Sequence, residues 1–172
     1  YQLKKGDLIE RIEERKVKTF YGDYDFYAFK ETSTDQIHFA LTKGTWVVDE
    51  PVLVRVQASN AYFDVLNRLT AGEKPLLEKV TKIINDEGKG VLIFINNVSS
   101  AENTLRKLQQ FIDFQDGQEK RPTLASNFHD YGIGTQILKN LGITKFRVIT
   151  QNVNQKPLVG GYDVEVTEMV QL

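Results

Sequence analysis

Three places in the chain carry residue types that a reaction could use. Gly88-Lys89-Gly90 has the composition of a phosphate-cradling loop, in which glycines let backbone N–H groups approach the anion and a lysine neutralises it. Such a loop follows a strand and opens a helix, so that the helix N-terminus faces the phosphate. Here the order is reversed, helix then glycines then strand, and the segment reads as a connection. Ser126, His129 and Asp130 contain the residue types of a hydrolytic triad. Triads converge from separate parts of a chain, and residues this close together read instead as the polar start of a helix, with Asp130 near the positive end of its dipole. His38 lies inside the apolar run Ile37 to Leu41 and reads as a hydrogen-bonded core histidine rather than a ligand. The chain has two histidines and no cysteine. That removes thiol nucleophiles, disulfides and cysteine-bound zinc together, and scattered histidines and carboxylates leave zinc unexpected.

The elements that must position these residues follow from hydrophobic period. Tyr1 to Lys18 is a charged lead-in. Asp7 is placed to cap a short helix with Leu8, Ile9 and Ile12 on one side and Glu13, Glu14 and Arg15 facing water, so residues 1–18 are expected to be a linker helix entering a domain over 19–172. A β-rich section follows, with alternation through Tyr24 to Phe29, an apolar run at Ile37 to Leu41, and a β-branched run at Val52 to Val56. The aromatic cluster Tyr21, Tyr24, Phe26, Tyr27 and Phe29 lacks interleaved arginines and reads as sheet core and sheet face rather than a base-stacking platform.

The period then changes. Leu76, Leu77, Val80, Ile83 and Ile84 mark a helix that Gly88 ends, and Val91 to Ile95 reads as a strand buried on both faces. Leu105, Leu108, Phe111 and Ile112 mark a second helix, and Ile133, Ile137, Leu138 and Leu141 a third that Gly142 stops. Phe146 to Ile149 and Val164 to Val170 read as closing strands. The fold class is therefore α+β, a mixed α/β domain with a β-rich first half followed by alternating helices and strands.

At 172 residues, with 41% hydrophobic and 26% charged, the chain can bury about 70% of its unfolded surface without a disulfide or metal staple. The net charge of −1 offers no footprint for a phosphate backbone, so no nucleic acid is expected as partner. No apolar stretch approaches the roughly 20 residues that span a bilayer, so no membrane is expected either. The chain starts at Tyr1 with no signal-like stretch, and is expected to be a fragment of a longer, cytoplasmic protein.

The C-terminal third carries a long, specific pattern. Asp130-Tyr131-Gly132-Ile133-Gly134-Thr135-Gln136-Ile137-Leu138, then Leu141-Gly142-Ile143, Phe146-Arg147-Val148-Ile149-Thr150 and Gly161-Tyr162-Asp163-Val164 resemble the closing segment of GTP cyclohydrolase II. Upstream, Phe39-Ala40-Leu41-Thr42-Lys43-Gly44 and Pro51-Val52-Leu53-Val54-Arg55-Val56 are similar to that family's approach to its zinc site. The lead-in resembles the linker that joins 3,4-dihydroxy-2-butanone 4-phosphate synthase to the cyclohydrolase in bifunctional riboflavin-pathway proteins.

The resemblance implies a zinc held by three cysteines, whose bound water opens the guanine imidazole ring and releases formate. Those three positions fall on Asn60, Ala71 and Glu73. The implied general base and its arginine partner fall on Asn127 and His129; an amide is no base, and histidine lacks a guanidinium's permanent fork. Gln57-Ala58-Ser59 replaces the family's His-Ser-Glu, and Asn97 to Asn103 replaces a glycine- and arginine-bearing phosphate loop. What persists is Arg55, Val56, Asp64, the Asp130-Tyr131-Gly132 helix start and Thr150, with Lys156 one place from the family's lysine position at Gln155.

Apolar positions and turn glycines survive while polar site positions fail. The resemblance therefore implies a catalytically silent domain, structural, dimerising or nucleotide-sensing, attached to an N-terminal synthase domain and forming a homodimer. Nucleotide binding, if retained, falls to Arg55, Val56, Thr150 and Lys156, for GTP or another purine nucleotide, with magnesium only as its companion. The alternative is altered chemistry in the same cleft, using His129, Asp130 and Glu73.

Overall fold

Two runs rich in β-branched residues, Val52-Leu53-Val54 and Val91-Leu92-Ile93, lie side by side at the centre of a seven-stranded sheet. The computed structural model describes residues 8–59, 64, 68–69, 76–96, 101–117, 128–151, 153–154 and 163–172. In chain order its elements are β1 (Ile9–Thr19), β2 (Gly22–Glu31), β3 (Ile37–Lys43), β4 (Val52–Ser59), α1 (Leu76–Glu87), β5 (Gly90–Asn96), α2 (Ala101–Gln115), α3 (Phe128–Asn140), β6 (Lys145–Thr150) and β7 (Glu165–Gln171). The strand order is β1-β2-β3-β5-β4-β6-β7. The first three ladders are antiparallel and the last three parallel. The mixed α+β architecture read from the sequence is the one observed.

Alternation sorts the central strands into two faces. On one, Val52, Val54, Val91, Ile93, Phe146 and Val148 pack with Ile133, Ile137 and Leu138 of α3. On the other, Leu53, Leu92 and Ile149 pack with Val80 and Ile84 of α1 and with Tyr24. Each fully buried side chain of this size contributes about 1.5–3 kcal/mol of transfer free energy. The helices lie on opposite faces because β4→β5 and β5→β6 run in opposite senses along the sheet, and right-handed crossovers then place them on opposite sides.

Both glycines of Gly88-Lys89-Gly90 have architectural reasons. Gly88 ends α1 in the left-handed region at φ 80°, with its N–H on Ile84 O at 2.8 Å. A Cβ at Gly90 would lie 2.8 Å from both Ile84 Cγ1 and Ile84 Cγ2, so α1 sits against β5 only because no side chain is there. The order helix, glycines, strand is as the sequence indicated.

The lead-in differs from expectation. Residues 9–19 are not a helix but the edge strand β1, paired with β2 from Ile9↔Glu31 to Thr19↔Gly22 with a bulge at Ile12. The proposed boundary at residues 18 and 19 therefore falls inside one strand of the same sheet. A hairpin turn sets the register: Thr19 Oγ1 accepts from Tyr21 N–H at 3.0 Å and donates to Gly22 O at 2.8 Å. The charges that suggested a solvated helix face are what an exposed edge strand carries against further pairing. Arg11 ties β1 to the end of α3, its Nη2 donating to Asn140 O at 3.0 Å and its Nε to Asn140 Oδ1 at 2.8 Å, a cation at a helix C-terminus. In α2, Phe111 is buried, whereas Leu105 and Ile112 are 56% and 58% exposed, so only part of the apolar stripe read from the sequence is covered. No helix among the described residues is long and apolar enough to cross a membrane.

Candidate functional site

β4 leaves the sheet toward α1 on one face, and β5 leads to α3 on the other. The gap between the carboxyl ends of two such strands is a topological switch point, where open α/β sheets bind ligands. Asn60, Ala71 and Glu73 follow β4, Asn97 to Asn103 follow β5, and Lys156 follows β6. The first turns of α3, which hold the backbone of His129, arrive at the same end, since a Cβ at Gly132 would lie 3.0 Å from Leu8 Cδ1 beside the Ile9↔Glu31 pair. Asn60, Ala71, Glu73, Asn127, Lys156 and the side chain of His129 lie outside the described residues. So does Ser126, whereas Asp130 is buried in the first turn of α3.

The described candidates share an end but not a face. Arg55 and Gln57 of β4 point to the α1 side, in register with Leu92 and Phe94 of β5. Val56 points the other way and packs on the α3-side core, so its side chain is removed from Arg55. Thr150 follows Ile149, which faces α1, and its carbonyl accepts from Leu172 N–H at 2.9 Å. Arg55 Nη1 donates to Ile149 O at 3.2 Å, linking the ends of β4 and β6. Among the described residues no carboxylate pairs with Arg55, and burial lowers its pKa from the ordinary arginine value. Its Nε is buried without a hydrogen-bond partner, and so is Gln57 Oε1. Unmade bonds of this kind cost about 1–3 kcal/mol each, which makes them informative at a candidate site.

On the other face, His38 is fully buried at the end of β5, as a core histidine should be. Asn96 N–H donates to His38 Nδ1 at 2.9 Å, so the ring proton sits on Nε2 and is given to Glu31 Oε1 at 2.6 Å. Thr34 Oγ1 donates to Glu31 Oε2 at 3.0 Å. This chain of bonds holds Asn96, the last residue of β5, just before segment 97–100. It is a positioning arrangement, with both imidazole nitrogens already engaged.

A tetrahedral zinc of the implied kind needs three thiolates and an open position. The corresponding positions offer an amide, a methyl group and one carboxylate, and no cysteine exists anywhere in the chain. The donor set does not fit the metal. Among the described residues no group of three or more His, Cys, Asp or Glu is placed to hold a metal ion.

Sequence reasoning named Gln57 only as a replaced position and missed its neighbour across the ladder, Phe94, and the ring beside it, Phe39. Phe39 and Phe94 stack with centroids 4.6 Å apart and planes 17° apart, and Phe26 lies 5.6 Å from Phe39. These rings come from three strands, and only strand order brings them together.

A family model described as GTP cyclohydrolase II matches residues 10–171. The chain is 36% identical over 180 residues to the riboflavin biosynthesis protein RibBA of Cytophaga hutchinsonii, covering all of this chain and 44% of that one. It is 31% identical over 179 residues to the RibBA protein of Aquifex aeolicus, with the same two shares of 100% and 44%. The chain thus spans less than half the length of these relatives. Among solved structures it is similar in fold to RibBX, a two-domain 3,4-dihydroxy-2-butanone 4-phosphate synthase from A. baumannii, at a TM-score of 0.58 and 22% identity over 95% of this chain and 40% of that one.

Proposed function

The chain belongs to the GTP cyclohydrolase II family, and from that premise we propose that it is a catalytically silent member, a domain that keeps the scaffold of the cyclohydrolase without its chemistry. The observation that carries this reading is the absence of cysteine from a chain that the family's model matches from residue 10 to residue 171. A zinc-bound water ionises near pH 7, far below bulk water, so the loss of all three thiolate ligands removes the source of the hydroxide. Asn127 in place of a general base and His129 in place of a guanidinium remove the supporting groups as well.

The work of such a domain is structural or regulatory. It supports a 3,4-dihydroxy-2-butanone 4-phosphate synthase in a riboflavin-biosynthesis protein, through dimer contacts between copies or through sensing of a nucleotide in the residual cleft. The names of the RibBA relatives and their greater length support this placement.

The test is direct. Purified protein is incubated with GTP and magnesium, formate is followed over hours, and zinc is measured by elemental analysis on the same preparation. Formate at the level of a protein-free control, with zinc far below one ion per chain, is the expected result. GTP-dependent formate release overturns the reading.

A further inference from the structure

We infer that His38 is an acid-operated latch on the carboxyl end of β5: a second proton on its ring, arriving at Nδ1, displaces the Asn96 amide and releases that strand end from the β2–β3 hairpin. The latch is independent of whether the domain is silent. The β3–β5 ladder runs from Lys43↔Gly90 to Phe39↔Phe94 and stops there. Continued, it would pair His38 with Ile95 and Ile37 with Asn96. Instead the backbone N–H of Asn96 is given to the His38 ring, at 2.9 Å to Nδ1. On its other side the same strand keeps its ladder with β4 to Ser59↔Asn96. Toward β3 the end of β5 is thus held by an imidazole nitrogen and by Asn96 Nδ2, which donates to Gln36 Oε1 at 3.2 Å. A backbone ladder bond does not respond to mild acid, whereas a bond to imidazole does. This end of β5 bounds the switch point, so what holds it sets the shape of the cleft there.

Nδ1 accepts the Asn96 N–H only while it carries no proton of its own. Nε2 already gives its proton to Glu31 Oε1 at 2.6 Å. A further proton on the ring therefore has one place to go, Nδ1, where it meets the Asn96 N–H head-on. Imidazole becomes imidazolium, no heavy-atom bond breaks, and the amide turns to water. With the ring neutral and Glu31 ionised, the buried pair carries one net negative charge, and the added proton makes it an ion pair without net charge. Imidazole is ordinarily more basic than a carboxylate by about two pH units, so the ring rather than Glu31 takes the proton. The proton also has a route in. His38 is fully buried and Glu31 is 1% exposed, yet Glu31 forms part of the wall of a pocket of about 240 Å³. The charged groups around that pocket are Glu10 of β1, Lys30 and Glu31 of β2, and Asp35 of the turn, with Lys30 Nζ 3.4 Å from Asp35 Oδ1. On the same face α3 brings Asp130, buried in its first turn, and His129 beside it in sequence. β3 adds only Lys43, at its far end, and β5 adds no charge. Carboxylates outnumber the lysine here, which favours the added proton.

The experiment is nuclear magnetic resonance of the isotope-labelled chain from about pH 8 to about pH 5, reading the His38 ring nitrogens, the Asn96 amide and its hydrogen exchange. At the alkaline end the ring proton should sit on Nε2. On acidification Nδ1 should gain a proton and the Asn96 amide resonance should move with the same midpoint. Exchange at that amide, corrected for the intrinsic effect of pH, should speed up by about two- to tenfold, the worth of one lost hydrogen bond. Glu31→Gln keeps an acceptor for the Nε2 proton but removes the carboxylate charge, so both midpoints should fall by about one pH unit or more. His38→Asn places an oxygen that does not titrate near the Nδ1 position and should abolish the Asn96 response. The latch is overturned if Nδ1 already carries a proton near pH 8, or if the Asn96 amide stays still while the ring titrates. It is equally overturned if nothing moves down to about pH 5, if the whole chain unfolds in place of a local release, or if Glu31→Gln leaves the midpoint unchanged. Should either variant not fold, the shared midpoint of ring and amide in the parent still decides.

Discussion

At Tyr24 two contacts meet on the α1 face. Its hydroxyl donates to Asn85 Oδ1 at 2.6 Å, Lys43 Nζ stands 4.5 Å from its ring centroid, and the residue is 3% exposed. Burial raises its pKa above the ordinary tyrosine value. An unfolded tyrosine ionises near pH 10, so the folded chain holds this proton where the unfolded chain releases it. Stability is therefore complete below about pH 10 and falls as pH rises from there toward the folded value. Tyr24→Phe should cost about 0.5–1.5 kcal/mol at neutral pH, where it forfeits the bond to Asn85. Its deficit against the parent should narrow above about pH 10, because the variant has no Tyr24 proton to lose. Urea midpoints of both proteins at neutral and alkaline pH check this; a deficit that widens with pH contradicts the assignment. His38 was readable at this scale, since a histidine flanked by apolar neighbours in a strand has to find its partners inside. The unpartnered atoms of Arg55 and Gln57 were not, because satisfaction is a property of surroundings drawn from other strands.

Elements are set by backbone geometry at their ends and by space between them, and the two glycines after α1 separate these effects. A Cβ at Gly88 would meet nothing within 4 Å, so Gly88→Ala carries only the cost of a left-handed φ, about 1–2 kcal/mol. Gly90 has an ordinary φ but no room, and Gly90→Ala should cost about 1–3 kcal/mol by pushing Ile84 off β5. Truncating Ile84 tells them apart: in an Ile84→Ala background, which lacks Cγ1 and Cγ2, the added penalty of Gly90→Ala should shrink, while that of Gly88→Ala should not. Chemical denaturation of the single and double variants reads this coupling. The lead-in belongs to the same scale. Leu8, Ile9 and Ile12 have helical spacing, yet the partner strand β2 and the turn at Thr19 to Gly22 impose pairing, and Ile12 becomes the bulged residue. Local pattern lost to a long hairpin whose register no single segment contains.

For the whole molecule, the antiparallel half β1–β3 and the parallel half β4–β7 are joined through the β3–β5 ladder, from Phe39↔Phe94 to Lys43↔Gly90. The chain's single tryptophan, Trp46, follows β3, and its Nε1 donates to Leu141 O at 3.0 Å just past α3. Trp46 thus reports contact between a loop of the sheet and the helix that covers the far half. The two halves share one core on the α3 face, with Ile9 and Phe29 in the same cluster as Phe146 and Val148. Unfolding by urea should accordingly be one transition, with Trp46 fluorescence and far-ultraviolet circular dichroism coinciding. Separate midpoints would show that the halves fold independently.

Hydrophobic period determined the identity of most elements, and the residue types determined what chemistry the chain lacks: cysteine is absent in any conformation, and Asn60, Ala71 and Glu73 do not become thiolates when folded. Both are local properties, written one residue or one turn at a time. Tertiary structure alone decided that residues 9–19 join the sheet, that Arg55 and Val56 part to opposite faces, and that Phe39, Phe94 and Gln57 form one row. The reason is physical. Strand order and register depend on pairing between segments far apart in the chain, and the faces that meet across β3, β5 and β4 exist only once that pairing is made.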